Sequence, residues 1–220
     1  MTARAGLTVM LLTAHRLEYA KRTLESAMRN LKSSETNFCV HIASDGDSDE
    51  YINELVAIAS MRPGVGEAVS VSNAGLTGYG ANFNLAMHDI KTDLLLPLED
   101  DWELVRELDI DPICQILRDN VFDCVRMGYI GYTQELRAKF VWCNYRHWLE
   151  LDPDSAERHV FAGHPRIERV DWIRPWPVGL APGATEFEVA GNVRARIAWP
   201  LDLIKPSENV WGHIGAIRSY

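Results

Sequence analysis

Residues 93–102 read DLLLPLEDDW, a short apolar run that ends in three consecutive carboxylates and an indole. The apolar run predicts a buried strand. Three adjacent acids repel one another, and hard divalent cations take oxygen ligands from one or two carboxylates together with substrate phosphates. Taken alone, the stretch fits either a metal site at the mouth of a strand or a solvated turn after an edge strand.

Three strand–helix units precede this run. Apolar β-rich stretches predict strands at residues 7–13, 37–43 and 67–72. Apolar residues at helical spacing predict helices at about residues 17–31, 50–60 and 81–90. Because crossover connections between parallel strands are right-handed, this order predicts a parallel sheet with helices on both faces.

Polar or glycine-rich segments follow each of the four predicted strands, at residues 13–16, 45–49, 73–80 and 99–102. In open α/β sheets, ligands bind outside the carboxyl ends of the strands. The four segments therefore converge on one predicted crevice, which favours the metal-site interpretation of the acids.

Composition limits the number of domains and the class of protein. With 220 residues, 47% of them hydrophobic and 24% charged, the chain fits one globular domain. No apolar run approaches the roughly 18 residues that span a bilayer, and the start lacks a signal-peptide layout, so a cytoplasmic protein is expected. A formal charge of −9 disfavours binding to nucleic acid through overall electrostatics. The four cysteines form no CxxC pair and are expected to be free thiols.

Phosphate-loop folds match poorly. No GxxxxGK[ST] segment follows a strand. The glycines Gly75, Gly78 and Gly80 resemble a dinucleotide fingerprint only loosely, and they follow the third strand rather than the first.

The order of motifs is similar to that of the family 2 glycosyltransferases, which have the GT-A fold. The motifs that carry the resemblance are a first strand ending near Thr13, SDGDSD at residues 44–49 where the family has DDGSxD, Asn73-x-Gly75 followed by Asn82, and Glu99-Asp100-Asp101 where it has a DxD-type motif. The chain departs from the pattern at Ser44, where the family has an aspartate, and at Ala81, where it often has an arginine.

The resemblance implies a single GT-A-like α/β domain over residues 1–220, with a mostly parallel central sheet flanked by helices. Residues 1–102 would form a Rossmann-like half that binds the nucleotide-sugar and the metal. Residues 103–220 would form a smaller half that binds the acceptor and supplies the catalytic base.

Site residues follow from the same resemblance. The nucleotide-sugar, with a UDP-sugar favoured, would contact Thr13, Ala14, His15, Arg16, Asp45, Asn73, Gly75, Asn82, Glu99 and Asp100. Asp101 would bind Mn²⁺ or Mg²⁺ that bridges the diphosphate. His213 lies in a segment similar to the C-terminal HxG turn of many GT-A enzymes and would contact the metal, although a lone histidine is more often structural.

The second half has weaker patterns. A helix is predicted within residues 107–120 and strands at 121–130 and 140–149. Residues 142–176 are rich in Trp, Tyr, His and Arg, which suits stacking on a sugar or nucleobase acceptor but equally suits packing of the smaller half.

An inverting transfer needs a carboxylate that takes a proton from the acceptor hydroxyl. Glu186 and Glu188 are the first candidates, because they come roughly where the family has its acceptor-side acidic motif. Glu188 also fits a capping box that starts at Thr185, which would make its role structural. Asp171, among the aromatic residues, is the reserve candidate.

The predicted function is therefore a metal-dependent, inverting glycosyltransferase. The alternatives are a nucleotidyltransferase, which usually carries a glycine-rich basic loop after its first strand, and a non-catalytic nucleotide-sugar-binding domain. The sequence leaves open the oligomeric state and whether the acceptor is a small molecule, a glycan, a protein or a hydroxymethylated DNA base.

Overall fold

The computed structural model describes residues 4–62, 69–131, 136–155, 163–175, 195–200 and 209–215. In the first hundred residues it contains the predicted alternation of strands and helices. The strands are β1 (Arg4–Thr13), β2 (Leu31–Lys32), β3 (Phe38–Ser44), β4 (Val69–Asn73) and β5 (Thr92–Glu99). The helices are α1 (Leu17–Asn30), α2 (Asp49–Ser60) and α3 (Tyr79–Asp89).

The second part of the chain is built from shorter elements. The strands are β6 (Trp102–Leu104), β7 (Leu108–Asp109), β8 (Cys124–Arg126), β9 (Ala138–Cys143), β10 (Arg146–Leu151), β11 (Arg166–Arg169), β12 (Ile197–Pro200) and β13 (Trp211–His213). The helices are α4 (Asp111–Arg118) and α5 (Val170–Ile173).

Nine of the described strands form one sheet in the order β4-β3-β1-β5-β11-β8-β12-β10-β9, while β13 pairs with β6 and β2 with β7 in two small separate sheets. From β4 to β5 the strands pair in parallel, as predicted. Beyond β5 the pairing is mixed, because β11 is antiparallel to both β5 and β8. The parallel half brings the carboxyl ends of β1, β3, β4 and β5 to a single edge.

Two strands predicted in the second half of the chain differ in the structure. The single strand expected at residues 140–149 is a hairpin, with a turn at Asn144 and Tyr145 between β9 and β10. The run expected as a strand over residues 121–130 contains only the three-residue β8.

Apolar side chains fill both faces of the sheet. One cluster packs α1, α2 and α4 against residues such as Leu11 and Leu96. The other packs α3 and α5 against Met10, Leu95 and Trp199. Two of the cysteines, Cys114 and Cys124, are buried, and all four are free thiols, as expected. Within the part of the chain that the structure describes, no helix has both the length and the apolar character needed to cross a bilayer.

A candidate active site at the carboxyl edge of the sheet

A crevice of about 170 Å³ lies where β1, β3 and β5 end. It is lined by Leu12, Thr13, Ala14, Arg16, Asp45, Tyr79, Asn82, Glu99 and Asp100. Seven of these nine residues were predicted from the sequence as nucleotide-sugar contacts; Leu12 and Tyr79 were not. A larger open cavity of about 520 Å³ lies at the end of α1, between Met28 and Asp111, away from the three acids.

Asp100 is almost fully buried at the end of β5, with 1% of its surface exposed. Its carboxylate accepts hydrogen bonds from Thr13 Oγ1 at 3.0 Å and from the Ala14 backbone N–H at 3.4 Å, and it pairs with the guanidinium of Arg16. Burial raises the pKa of Asp100, and Arg16 opposes that effect. The turn after β1 is therefore fastened to the end of β5 through this one carboxylate.

Asp101 has one carboxylate oxygen engaged and one buried without a partner among the described residues. Its Oδ2 accepts a hydrogen bond from Arg16 Nη1 at 3.0 Å and lies 3.6 Å from His213 Nε2. The backbone at Gly215 presses against the same side chain, because a Cβ added there would overlap Oδ2 and lie 2.8 Å from Cγ. Asp101 is thus held in a fixed position with a lone-pair site unused.

These features fit a divalent metal that the protein holds through few ligands. No group of three or more His, Cys, Asp and Glu side chains is arranged around a common point in the described ranges. The unpartnered oxygen of Asp101 and the nearby imidazole of His213 offer oxygen and nitrogen donors, which suit Mn²⁺. A cation that takes its other ligands from substrate phosphates and water needs no larger protein cage.

Trp102 packs beneath His213. The indole is 3% exposed, and its centroid lies 4.5 Å from that of the His213 ring. The antiparallel pairing of β13 with β6 places the two side chains opposite each other. The C-terminal strand therefore delivers His213 to the acids, which the sequence predicted only through the HxG resemblance.

Glu99 is half-buried and has an unusual electrostatic environment. Burial of its carboxyl group, with repulsion from Asp101, raises its pKa to about 7, although Arg166 partly opposes the shift. A Cβ added to Gly163 would lie 2.7 Å from Glu99 Cδ, so backbone approaches the carboxylate closely. Glu99 thus faces the second half of the chain, whereas Asp100 faces the turn after β1.

A buried ionic cluster lies behind Glu99, on β8 and β11. Arg166 and Glu168 form a pair with Nε and Oε2 3.2 Å apart, and both are at most 1% exposed. Arg126, on the neighbouring strand, has Nη2 2.6 Å from His164 Nδ1. The sequence singled out Arg166 and His164 only as parts of an aromatic and basic stretch. It gave no signal for Arg126 or Glu168, because β8 and β11 are too short to show a periodic pattern.

Asp45 and Asn73 bind the loops that border the crevice. The Asp45 carboxylate accepts hydrogen bonds from the backbone N–H groups of Thr77 and Gly78, at 2.8 and 2.9 Å. Asn73 Oδ1 accepts from Gly46 and Gly75, at 2.9 and 3.1 Å. Asp45 therefore lines the crevice, whereas Asn73 is not among the lining residues and holds the adjacent loop.

A carboxylate that the prediction omitted, Asp47, organises the turn after β1. Its Oδ1 accepts a hydrogen bond from the His15 backbone N–H at 2.7 Å and lies 3.2 Å from His15 Nδ1. Its Oδ2 accepts from Ser44 Oγ at 2.8 Å. The pattern SDGDSD was the available signal, but only the fold shows which aspartate faces the turn.

Asn82 has a polar atom left for a ligand. Its Nδ2 donates to the Ala43 carbonyl at 2.9 Å, while its Oδ1 is buried with no hydrogen-bond partner in the described part of the chain. The side chain lines the crevice at the start of α3.

Of the base candidates, only Asp171 is among the described residues, and it lies away from the acids. Asp171 lies on α5, which follows β11, and Arg169 of β11 pairs with Leu94 near the amino end of β5. Asp171 is also paired with Arg169, whose Nη2 lies 2.7 Å from Oδ2. Glu186 and Glu188 fall outside the described residues.

Comparisons with known proteins give one consistent result. No protein-family model matches the chain, and no curated protein matches it. Among solved structures, the mannosyltransferase PcManGT of Pyrobaculum calidifontis, in complex with GDP-Man and Mn²⁺, matches 100% of this chain with a TM-score of 0.67 and 14% identity. S. aureus TarS (residues 1–349) matches 88% with a TM-score of 0.65 and 14% identity, and TarS has also been crystallised with UDP-GlcNAc. GalNAc-T7 with UDP, GalNAc and Mn²⁺ matches 95% with a TM-score of 0.64 and 13% identity.

The chain spans only part of these proteins, covering 59% of PcManGT, 57% of the TarS chain and 44% of GalNAc-T7. At these identities the likeness concerns the fold. The mixed α/β fold with helices on both faces of the sheet, expected from the sequence, is the GT-A fold of these structures.

Proposed function

We propose that this chain is a metal-dependent glycosyltransferase that moves a sugar from a nucleoside-diphosphate sugar to an acceptor hydroxyl. The observation that carries the proposal is the arrangement of Asp101 and Arg16 at the carboxyl edge of a parallel sheet, where one buried oxygen of Asp101 has no partner among the described residues. A carboxylate able to hold a cation beside a guanidinium suits a diphosphate. The complexes of PcManGT and GalNAc-T7 with Mn²⁺ support the same assignment.

The donor would lie in the crevice with its nucleoside between the turn after β1 and the loop before α3. Thr13, Ala14 and His15 offer the backbone of that turn, and Asn82 Oδ1 offers an unused acceptor. Asp45, Asn73 and Gly75 would act by holding the loop in place, because their polar atoms already bind it. A UDP-sugar is favoured, since UDP or UDP-GlcNAc is present in the TarS and GalNAc-T7 complexes.

Asp101, assisted by His213, would hold Mn²⁺ or Mg²⁺. Bound there, the metal would stabilise the negative charge that develops on the diphosphate as it leaves. Arg16 would turn from the two aspartates toward the diphosphate oxygens and add a second positive charge. Glu99, whose pKa is raised to about 7, would offer a hydrogen bond to the sugar.

The transfer would invert the anomeric centre. The acceptor oxygen forms a bond to the anomeric carbon while the bond from that carbon to the diphosphate oxygen breaks, and the electron pair leaves with the diphosphate. Glu188 or Glu186 would take the hydroxyl proton, and residues 103–220 would supply the acceptor side. Asp171 is the weaker candidate, because it lies toward the opposite edge of the sheet.

The test compares two carboxylates. Asp101→Asn is expected to lower the Mn²⁺-dependent release of nucleoside diphosphate from UDP-GlcNAc, UDP-Glc or GDP-Man by about 10²–10³-fold. Glu107→Gln, at an exposed ion pair with Lys32 away from the crevice, is expected to leave the rate within about twofold. Isothermal titration of Mn²⁺ should show loss of binding only in Asp101→Asn.

Three outcomes would contradict the proposal. Release of pyrophosphate instead of nucleoside diphosphate would indicate a nucleotidyltransferase. Donor binding without turnover, unchanged in Glu186→Gln and Glu188→Gln, would indicate a non-catalytic binding domain. Equal activity of Asp101→Asn and the wild type would show that Asp101 does not hold a metal that the reaction needs.

A further inference from the structure

The β9–β10 hairpin exposes three aromatic rings. Phe140 is 71% exposed, Trp142 61% and Tyr145 93%. The other face of the same hairpin is packed, because Trp148 is 2% exposed and Val141 packs against the core. Phe140 and Trp142 therefore stand on a strand whose opposite face is packed against the core.

Phe140 and Glu99 point to the same side of the sheet, and buried core residues lie between them. Phe140 pairs with Leu149, and Leu149 shares one core cluster with Trp199 and Leu95. Glu99 lies four residues after Leu95 on the same strand, so it points to the same face.

The hairpin tip also lies at the same edge of the sheet as the acids. Four antiparallel pairings and one parallel pairing separate β5 from β9, so the two strands run in the same direction. The turn after β9 is therefore at the edge where β5 ends in Glu99. Five strand spacings correspond to about 24 Å between the two.

The turn holds Tyr145 in a backbone conformation that tyrosine disfavours. Asn144 and Tyr145 have φ values of 50° and 59°, the arrangement of a two-residue hairpin turn with both central residues left-handed. Asparagine and glycine are the usual residues there, and Asn144 is further anchored by donating from Nδ2 to Asp119 Oδ2 at 2.8 Å. Tyr145 gains no burial that would offset its strain, which points to a role for the side chain outside the fold.

Trp142 and His147 form an exposed cross-strand pair that a sugar ring could contact. Its ring lies 4.5 Å from that of His147, the cross-strand partner, in an edge-to-face arrangement. The flat face of an indole attracts the weakly positive C–H groups of a pyranose ring, while the imidazole can hydrogen-bond to hydroxyls. With a net charge of −9, the chain suits a neutral sugar chain better than a polyanion.

We propose that Phe140, Trp142 and Tyr145 form a stacking platform for a neutral oligosaccharide, the extended part of a glycan acceptor whose end reaches Glu99. The assignment of the acceptor end rests on the proposed function. A span of about 24 Å requires several sugar units between the platform and the crevice. Single monosaccharides should therefore bind far more weakly than hexasaccharides.

The test uses chitohexaose, cellohexaose, maltohexaose and mannohexaose as probes, with binding followed by isothermal titration calorimetry. At least one hexasaccharide is expected to bind the wild type, and Trp142→Ala and Tyr145→Gly should each weaken that binding about tenfold. Tyr145→Gly should also raise Tm by about 2–4 °C, since glycine relieves the left-handed strain. Met61→Ala, which removes an apolar side chain that is 78% exposed, is the control and should change neither property.

The outcomes separate the platform from the proposed donor chemistry. Stabilisation by UDP-GlcNAc with Mn²⁺ should be the same in the platform variants and the wild type. If the wild type does not bind this donor, that result contradicts only the proposed function. Absence of binding to all four hexasaccharides, or full binding by Tyr145→Gly, would overturn the platform. A dimer in sedimentation analysis that Trp142→Ala dissociates would also overturn it, by making the face a contact between two copies.

Discussion

Arg16 provides the positive charge of the crevice. Its guanidinium donates to both Asp100 and Asp101, so one side chain bridges the two carboxylates. Partial burial lowers the pKa of Arg16, but the two aspartates outweigh that effect and leave it raised. Two neighbouring carboxylates that are 1% and 8% exposed need a nearby cation, because an uncompensated buried charge is strongly unfavourable.

Arg16→Met is therefore expected to destabilise the metal-free protein by about 1–3 kcal/mol, since the pair is only partly shielded from water. Mn²⁺ should then restore more stability to the variant than it adds to the wild type, because the ion replaces the missing charge and no longer competes with the guanidinium. Urea unfolding with and without Mn²⁺ measures both effects.

Arg22→Met is the matched control. Arg22 pairs with Glu103 at 2.7 Å on the surface, with its side chain 53% exposed. Loss of this pair should cost less than about 1 kcal/mol and leave the response to Mn²⁺ unchanged. An equal gain from Mn²⁺ in Arg16→Met and the wild type would show that guanidinium and metal do not share the aspartates.

At the scale of elements, period and length decide what the sequence can predict. The runs that became β1, β3 and β5 are seven residues or longer, and α1 has a clear apolar stripe, so their order was predictable. The strands β6, β8, β11, β12 and β13 have only three or four residues, and their pairing depends on partners distant in the chain. Such elements form because strands distant in the chain offer them a pairing partner, which a local pattern cannot show.

The same limit applies to the site. The segments at the strand exits were predicted because parallel strands must bring their carboxyl ends together. The hydrogen bonds of Asp45 to Thr77 and Gly78 were not, since they depend on how a loop after β4 folds back. The sequence thus predicts where the polar residues gather, and the structure is needed to tell those that hold a wall from those that face a ligand.

The strand β13 and the turn after it provide a test of how tightly Asp101 is held. In Gly215→Ala, the new Cβ would overlap the Asp101 carboxylate, so the side chain or the turn must shift. Mn²⁺ affinity is expected to fall by about 10-fold or more, as for other changes beside a metal ligand. Gly212→Ala is the matched control on the same element, because its Cβ would lie 3.6 Å from Val105 Cγ1, an ordinary contact.

Isothermal titration of Mn²⁺ into both glycine variants measures the difference. Equal affinities would mean that the turn at Gly215 adapts and does not position Asp101. A fall in both variants would mean that β13 is displaced as a whole, which a loss of thermal stability would reveal.

At the scale of the whole molecule, one sheet joins a parallel half and a mixed half. The joint is the antiparallel pairing of β11 with β5, next to Glu99 and the buried pair Arg166–Glu168. The crevice proposed to bind the donor lies on the parallel side and the aromatic hairpin at the far end of the mixed side. A continuous sheet keeps two such sites at a fixed separation, which the proposed transfer to the end of an extended acceptor would require.

Because the sheet is continuous, protonation of one buried group should appear in the stability of the whole molecule. His41 on β3 is buried, with Nδ1 2.8 Å from Ser70 Oγ and Nε2 2.9 Å from Ser72 Oγ on the edge strand β4. Burial lowers its pKa from 6.5 to about 4. The unfolded chain therefore binds more protons than the folded one between these values, and stability must fall as the pH drops from about 6.5 to about 4.

The expected loss from His41 over this window is about 2–3 kcal/mol. His41→Gln keeps a donor and an acceptor for the two serines but cannot be protonated in this range, so its unfolding free energy should fall less over the same pH interval. His164, whose pKa is also lowered to about 4, is present in both proteins, so the difference between their slopes reports His41. Urea titrations at pH 7.5, 6, 5 and about 4 measure the two curves. Parallel curves would show that the strand pair β3–β4 opens before His41 is protonated, and that the edge of the sheet unfolds separately from its centre.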